Sequence, residues 1–233
     1  MEVSRADGGL EMTGVLAEAS AGEWLRLSVT ALEESPIPAM VLREDGLVMY
    51  CNREMTRRGS AVLAEGKLEA GRNLLERDPG PFVRERLELI RRQAPGQTSM
   101  AVRNIIGGEQ VISYSLVLPD EAAGGKRAVF IVQERMHGPV DARDFPGAAY
   151  YEPSHQALGV LQGLSRREIE VLALLGQGMT AAQIAARISR AEETVNTHKS
   201  ALLRKLGCRN AAQLAVIAHR AGLKYEDGAR FAS

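Results

Sequence analysis

The stretch from Leu164 to Leu223 constrains this chain more than any other. Three polar residues in it each stand three places before a Glu or Gln: Ser165 before Glu168, Thr180 before Gln183, and Asn210 before Gln213. Each pair can form a capping box, in which two side chains satisfy backbone N–H groups that a helix start leaves without partners. Apolar residues follow each start at helical spacing: Ile169, Leu172 and Leu175; then Ile184 and Ile188; then Leu214, Ile217, Ala218 and Ala221. A further amphipathic run, Val195, Leu202, Leu203 and Leu206, lies between the second and the last. Gly176, Gly178, Gly207 and Gly222 supply the turns. Local chemistry therefore predicts four short helices packed into one small unit.

The segments LSRREIEVL, Gly178–Met179–Thr180, QIAARI, ETVNTHKSALLRKLG and NAAQLAVIA occur in a recognisable order and spacing. This quarter of the chain resembles the LuxR/GerE-type helix-turn-helix of bacterial transcription regulators. The resemblance implies a recognition helix from about Glu192 to Leu206, the second helix of a pair, lying in the DNA major groove. Asn196, Thr197 and Ser200 fall where the family places base contacts. Asn can pair bidentately with adenine, Thr can offer its methyl to thymine, and Ser is permissive. Thr194, His198, Lys199, Arg204 and Lys205 suit phosphates, which fix register without reading sequence. Each of these polar residues also reads as plain solvated surface, and His198 as a capping or packing residue. The resemblance further implies double-stranded DNA and RNA polymerase as partners. It implies a homodimer formed through the fourth helix, whose face would include Leu214, Ile217 and Ala218; core packing is the other reading of that face, and the favoured one for Leu214.

Four positions depart from the family pattern. Ala191 stands where Ser usually precedes the recognition helix, and it has no side-chain oxygen to cap that start, a loss of about 0.5–2 kcal/mol. Arg190 replaces an apolar residue, Asn196 a Lys, and Ala211 an Arg. Glu192 and Glu193 favour the helix dipole but oppose a phosphate at that end.

Charge supports a polyanion-binding reading. The whole chain is formally neutral, with 29 Lys and Arg against 29 Asp and Glu. Leu164 to Leu223 nevertheless carries nine basic and four acidic residues, so the balancing negative excess lies before it. A basic module beside an acidic one fits a polyanion-binding head on a body of opposite sign; a solvated basic face gives the same balance. The two cysteines, Cys51 and Cys208, show no paired spacing, so reduced thiols in the cytoplasm are expected. No apolar run approaches the roughly 20 residues of a membrane helix, and no secretory signal is read.

The N-terminal part predicts a different architecture. Residues 1–23 read as a tail or short helix, and Trp24–Glu34 as a helix ended by Ser35-Pro36-Ile37-Pro38. Ala39–Leu42 and Leu47–Cys51 flank a Glu-Asp-Gly turn, a hairpin signature. Asn52 can cap a helix starting at Arg53, with helical pieces to Leu63 and from Pro81 to Arg92. Three strands come next, Ser99–Ile106, Gln110–Leu118 and Arg127–Glu134. The order β-β-α-α-β-β-β, headed by SPIPAMVLREDGLVMYCN, resembles a PAS sensor domain over residues 24–136, with any other small α+β domain as the alternative. The expected fold class is α+β: a PAS-like five-stranded antiparallel sheet with helices, plus a C-terminal all-α four-helix domain. Residues 137–163, with several Pro and Gly, read as a linker ending in a short helix from about Ser154, and 164–233 as the DNA-binding domain.

A cofactor is not indicated, and an unidentified small ligand is left to the PAS-like domain. Met40, Met49, Met55 and Met100 read as core packing, with the lining of an apolar pocket as their other role. Cys51 lies outside the pattern of a flavin-reactive cysteine, and no histidine falls inside the predicted sensor core. An enzyme is not expected. Gly124-Gly125-Lys126 lacks a phosphate-loop frame, no Cys/His metal spacing occurs, and no Ser sits in a nucleophile elbow. The expected function is a sequence-specific transcription regulator that transduces a signal from the PAS-like domain. The alternative is a protein-interaction adaptor that keeps the helix-turn-helix fold without productive DNA binding.

Overall fold

The computed structural model describes residues 32–33, 35–59, 62–63, 66–93, 99–118 and 125–231. The expected tail and nearly all of the expected Trp24–Glu34 helix lie outside these residues; Leu32 and Glu33 are helical. The N-terminal half is a mixed sheet carrying helices. Its elements are β1 (Ala39–Arg43), β2 (Val48–Cys51), α1 (Arg53–Gly59), α2 (Gly80–Arg92), β3 (Ser99–Ile106), β4 (Glu109–Val117), β5 (Ala128–Arg135) and β6 (Ala149–Tyr151). The strands run in the order β2-β1-β5-β4-β3-β6. The first five pair antiparallel, as the PAS resemblance implies, while β6 joins the edge parallel to β3.

Asn52 joins the hairpin to the elements on either side of it. Its side-chain oxygen accepts from Met55 N at 2.9 Å, capping α1, and from Ala39 N at 3.1 Å. Its amide donates to the carbonyls of Leu32 and Ile37, so one buried side chain ties helix, strand and preceding segment together. Strand alternation then sorts β3 between two faces. Met100 and Val102 enter a core with Met40, Leu42, Met55, Val83, Leu87 and Ile90, beneath α1 and α2. Ala101 and Ile105 face the other way, Ala101 toward Val140 and Phe145 and Ile105 toward the C-terminal domain.

Residues 137–163 differ from a simple linker. They contribute β6, and Ala157 pairs with β3 through Ala157 N to Ile105 O at 3.0 Å and Gly107 N to Ala157 O at 2.8 Å. The helix expected from Ser154 is absent: the chain is extended there, and a short 3-10 turn covers Gly159–Leu161 instead. The reason is competition for backbone groups. Arg86 takes the His155 carbonyl and Gly107 N takes the Ala157 carbonyl, the acceptors that a helix from Ser154 would need for residues four places on. Gly159 has a positive φ and lies so close to the β3–β4 turn that an added Cβ would meet Gly107 Cα at 2.5 Å.

The C-terminal half comprises α3 (Arg166–Gly176), α4 (Ala181–Ile188), α5 (Glu192–Lys205), α6 (Ala211–Arg220) and α7 (Asp227–Phe231). The short α7 adds to the four expected helices and packs on α3, where Gly228 leaves no room for a Cβ beside Glu170 and the Arg166 carbonyl. The capping boxes of Ser165 with Glu168 and of Thr180 with Gln183 form fully. That of Asn210 is half made: its oxygen accepts from Gln213 N, but Gln213 accepts from Arg209 N instead. One apolar core joins Ile105, Leu158 and Leu161 to Ile169, Leu172, Ile184, Val195, Leu202 and Leu214. Fully burying each Leu or Ile contributes about 1.5–3 kcal/mol.

Candidate nucleic-acid interface and sensor cavity

Two helices and a tight turn position the candidate interface. Thr180 caps α4, and Ser189 ends it in the left-handed region at φ 52°. Arg190 and Ala191 then turn the chain into α5. Ala191 gives α5 no side-chain cap, as expected. Val195 and Leu202 are fully buried against the preceding helices and fix which face of α5 looks outward. That outward face brings Asn196, Thr197, Ser200 and Arg204 together around a shallow depression with Glu193 and Ala201.

The expected contact residues divide by availability. Asn196, Thr197, Ser200 and Arg204 are exposed, whereas Thr194, His198 and Lys199 are half-buried. The Thr197 hydroxyl donates to the Glu193 carbonyl at 3.0 Å, which leaves its methyl as the group it offers. Lys205 is engaged elsewhere. It sits 2.7 Å from Glu168 Oε2 and donates to the Gly163 carbonyl, so a phosphate has to compete with a carboxylate for it. Burial alone would raise the Glu168 pKa, but Lys205 and the N–H and hydroxyl of Ser165 hold it below its ordinary value. Among the described residues, Arg187, Arg190, Lys199, Arg204 and Arg209 have no carboxylate partner and remain available to an anion. Arg187 and Arg209 were not among the expected contacts. Their signal in the sequence was only membership in the basic excess.

The expected face of α6 turns inward. Leu214 and Ala218 are buried against α3, and Ile217 is half-buried. The approach is tight: a Cβ on Gly176 would come within 2.6 Å of the Ala218 Cβ. Close helix packing therefore takes Leu214 and Ala218 into the core, while Ile217 keeps part of its surface.

A second candidate site lies in the sheet domain. A cavity of about 100 Å³ opens between the sheet and α1–α2. Met40, Met55 and Met100 line it; Met49 lies on the opposite face with Tyr50 and Phe130. Its polar end, which the sequence did not reveal, is formed by Arg86, Asn104, Ser113 and Gln133. The Cys51 thiol contacts Thr56 Oγ1 at 3.4 Å, and burial raises its pKa, so it is not an activated thiolate. Among the described residues no cluster of His, Cys, Asp or Glu could hold a metal, and no helix is long and apolar enough to cross a membrane.

Fold and interface together define a helix-turn-helix module joined to a PAS-like α+β domain. Comparison with known proteins specifies the module. Residues 162–218 match the family described as bacterial regulatory proteins, luxR family, so the C-terminal domain is a luxR-type helix-turn-helix. A similar relative is the DNA-binding transcriptional activator DevR/DosR of Mycobacterium tuberculosis, 47% identical over 58 residues, covering 25% of this chain and 27% of that protein. Another is the transcriptional regulatory protein LnrK of Bacillus subtilis, 41% identical over 63 residues, covering 27% of this chain and 29% of that protein. The chain thus spans less than a third of the length of these two curated relatives. Among solved structures, the Vibrio cholera VqmA–ligand–DNA complex is similar over 87% of this chain and 91% of that one, at 19% identity and a TM-score of 0.43.

Proposed function

We propose that this chain is a sequence-specific DNA-binding transcription regulator of the cytoplasm. In this reading a homodimer places one α5 from each copy in successive major grooves, and the cavity of the PAS-like domain receives a small ligand as signal. The observation that carries the reading is the exposed row Asn196, Thr197, Ser200 and Arg204 on the outward face of α5. Asn196 reads a base edge, the Thr197 methyl meets an apolar one, and Lys199 and Arg204 hold phosphates. One module covers little DNA, so two half-sites read by a dimer supply the affinity. RNA polymerase is the partner that such binding would recruit or block.

Footprinting on the DNA upstream of its own gene tests the reading directly. Binding is expected to be sequence-specific and to weaken steeply with salt. Lys199→Ala should weaken all duplexes alike and lower the salt slope by about one, whereas Asn196→Ala should relax preference at one base pair by about 1–3 kcal/mol. Equal affinity for every duplex rejects sequence-specific recognition. The adaptor reading draws on the uncapped start at Ala191 and on exposed Glu192 and Glu193, which repel a phosphate at that end. It predicts no retarded complex even at low salt.

A further inference from the structure

Arg86, on α2, stands where the cavity meets the segment that leads to the DNA-binding domain. Its guanidinium lies 3.7 Å over the Phe82 ring at the cavity wall. Nε and Nη2 donate to Asn104 Oδ1 at 3.1 and 2.9 Å. Nη1 donates to the Phe82 carbonyl at 3.2 Å and the His155 carbonyl at 2.6 Å, and Nη2 to Gln156 Oε1 at 3.2 Å. These acceptors are all neutral. Among the described residues the one carboxylate within reach is Glu85 at 3.4 Å, and it is already committed to Ser154 N, His155 N and His155 Nδ1. Burial accordingly pushes the Arg86 pKa down to about 9, against a weaker opposing pull from Glu85. A guanidinium held by neutral oxygens gains from any anion that replaces one of them, because charge-assisted bonds are roughly twice as strong.

The rest of the cavity sets the remainder of the ligand. Met40, Leu42, Met55, Leu68, Ile90 and Met100 make most of its wall apolar. Its volume, about 100 Å³, is of the order of cavities that take up benzene. We infer that the cavity receives a small apolar monoanion, a carboxylate or ionised hydroxyl on a ring or short chain. Its anionic oxygen draws Arg86 from His155 and Gln156 and so loosens the segment joining the two domains. This inference rests on the sensor reading of the cavity.

The bonds of that segment show what would move. Gln156 Oε1, which accepts from Arg86, also accepts from Ile105 N at 2.8 Å, and Gln156 Nε2 donates to the Pro153 carbonyl. Ala157 is stitched to β3 on both sides. A few residues later Leu158, Leu161 and Leu164 enter the core that holds α3 to α6. Arg86 is therefore a single side chain that touches both the cavity and the backbone feeding the DNA-binding domain.

The test uses the full chain with benzoate as anionic probe and benzyl alcohol and toluene as neutral ones, read by calorimetry and by amide hydrogen exchange. Benzoate is expected to bind at least tenfold more tightly than benzyl alcohol. Arg86→Gln should erase that preference while leaving toluene binding, and Arg86→Lys, which keeps a charge, should retain part of it. Saturating benzoate should speed exchange at Ile105, Gly107 and Ala157. Equal binding of benzoate and benzyl alcohol, indifference to Arg86→Gln, or unchanged exchange at those amides each overturns the inference. If toluene alone binds and Met100→Trp blocks it, the sensor cavity stands and the anion claim falls. If no probe binds at millimolar concentration, the sensor reading falls with it.

Discussion

Two arginines, the buried Arg103 and the half-buried Arg86, sit on opposite faces of β3 and are compensated in opposite ways. Arg103 points toward the C-terminal domain and is fully buried with Asp227, which it grips through two bonds of 3.0 and 2.7 Å. It also donates to the Gly222 carbonyl at 2.7 Å and to Gln110 Oε1 at 2.9 Å. Burial would lower its pKa, yet Asp227 and then Glu152 return it above the ordinary value. The next residue, Asn104, points the other way and holds Arg86, whose nearest acceptors are neutral oxygens and whose pKa falls. A matched counter-charge makes Arg103 a cross-brace between the domains. The lack of a dedicated one leaves Arg86 responsive to whatever enters the cavity.

The largest expected effect comes from breaking the cross-brace. Arg103→Met leaves Asp227 buried with its main partner gone, a change that costs about 3–5 kcal/mol in such pairs. Urea denaturation should show that loss, and the double variant Arg103→Met with Asp227→Leu should recover most of it. A loss below about 1 kcal/mol for the single variant would remove the distinction between the two arginines.

Acid should act on the same junction. Glu152 contacts Lys224 and Arg230 and accepts from the Tyr150 hydroxyl at 2.7 Å. Burial alone would raise its pKa, but Lys224, Tyr150, Arg230 and the Arg103 charge outweigh this and hold it at about 2, against an ordinary 4.5. A lowered folded-state pKa means that the stabilisation is complete above pH 4.5 and drains away as pH falls toward 2. Denaturation free energies measured across that window should fall less steeply in Glu152→Gln. An unchanged slope would mean that Glu152 does not serve the junction.

Legibility in the sequence divides in the same way, between near and far partners. The caps at Ser165, Thr180 and Asn210 join residues three apart, so composition at fixed spacing revealed them. So did the five antiparallel strands, whose runs and turns are local. The grip of Arg103 on Asp227 spans 124 residues, and that of Arg86 on the His155 carbonyl spans 69. No spacing rule reaches that far. The Pro- and Gly-rich 137–163 stretch likewise reads as a linker, because a three-residue parallel edge strand such as β6 leaves almost no pattern. On α5 the candidate contact residues came from the family resemblance, whereas the diversion of Lys205 to Glu168, 37 residues away, was not legible in the sequence.

The smallest expected effect decides whether Arg86 truly lacks a counter-charge. Glu85→Gln removes the carboxylate that, among the described residues, lies near it, but keeps an oxygen that can accept from Ser154 N or His155 N. If Glu85 serves mainly as a backbone acceptor, the loss should be about 1 kcal/mol, the scale of one hydrogen bond, and benzoate should still bind more tightly than benzyl alcohol. If Glu85→Gln instead destabilises the protein as much as Arg103→Met does, Glu85 is the hidden partner of Arg86. The two arginines would then be alike, and the guanidinium would have little left to offer a ligand. The measurement separates a charge held in reserve from one already spent, which is the property that would make one face of β3 a sensor and the other a brace.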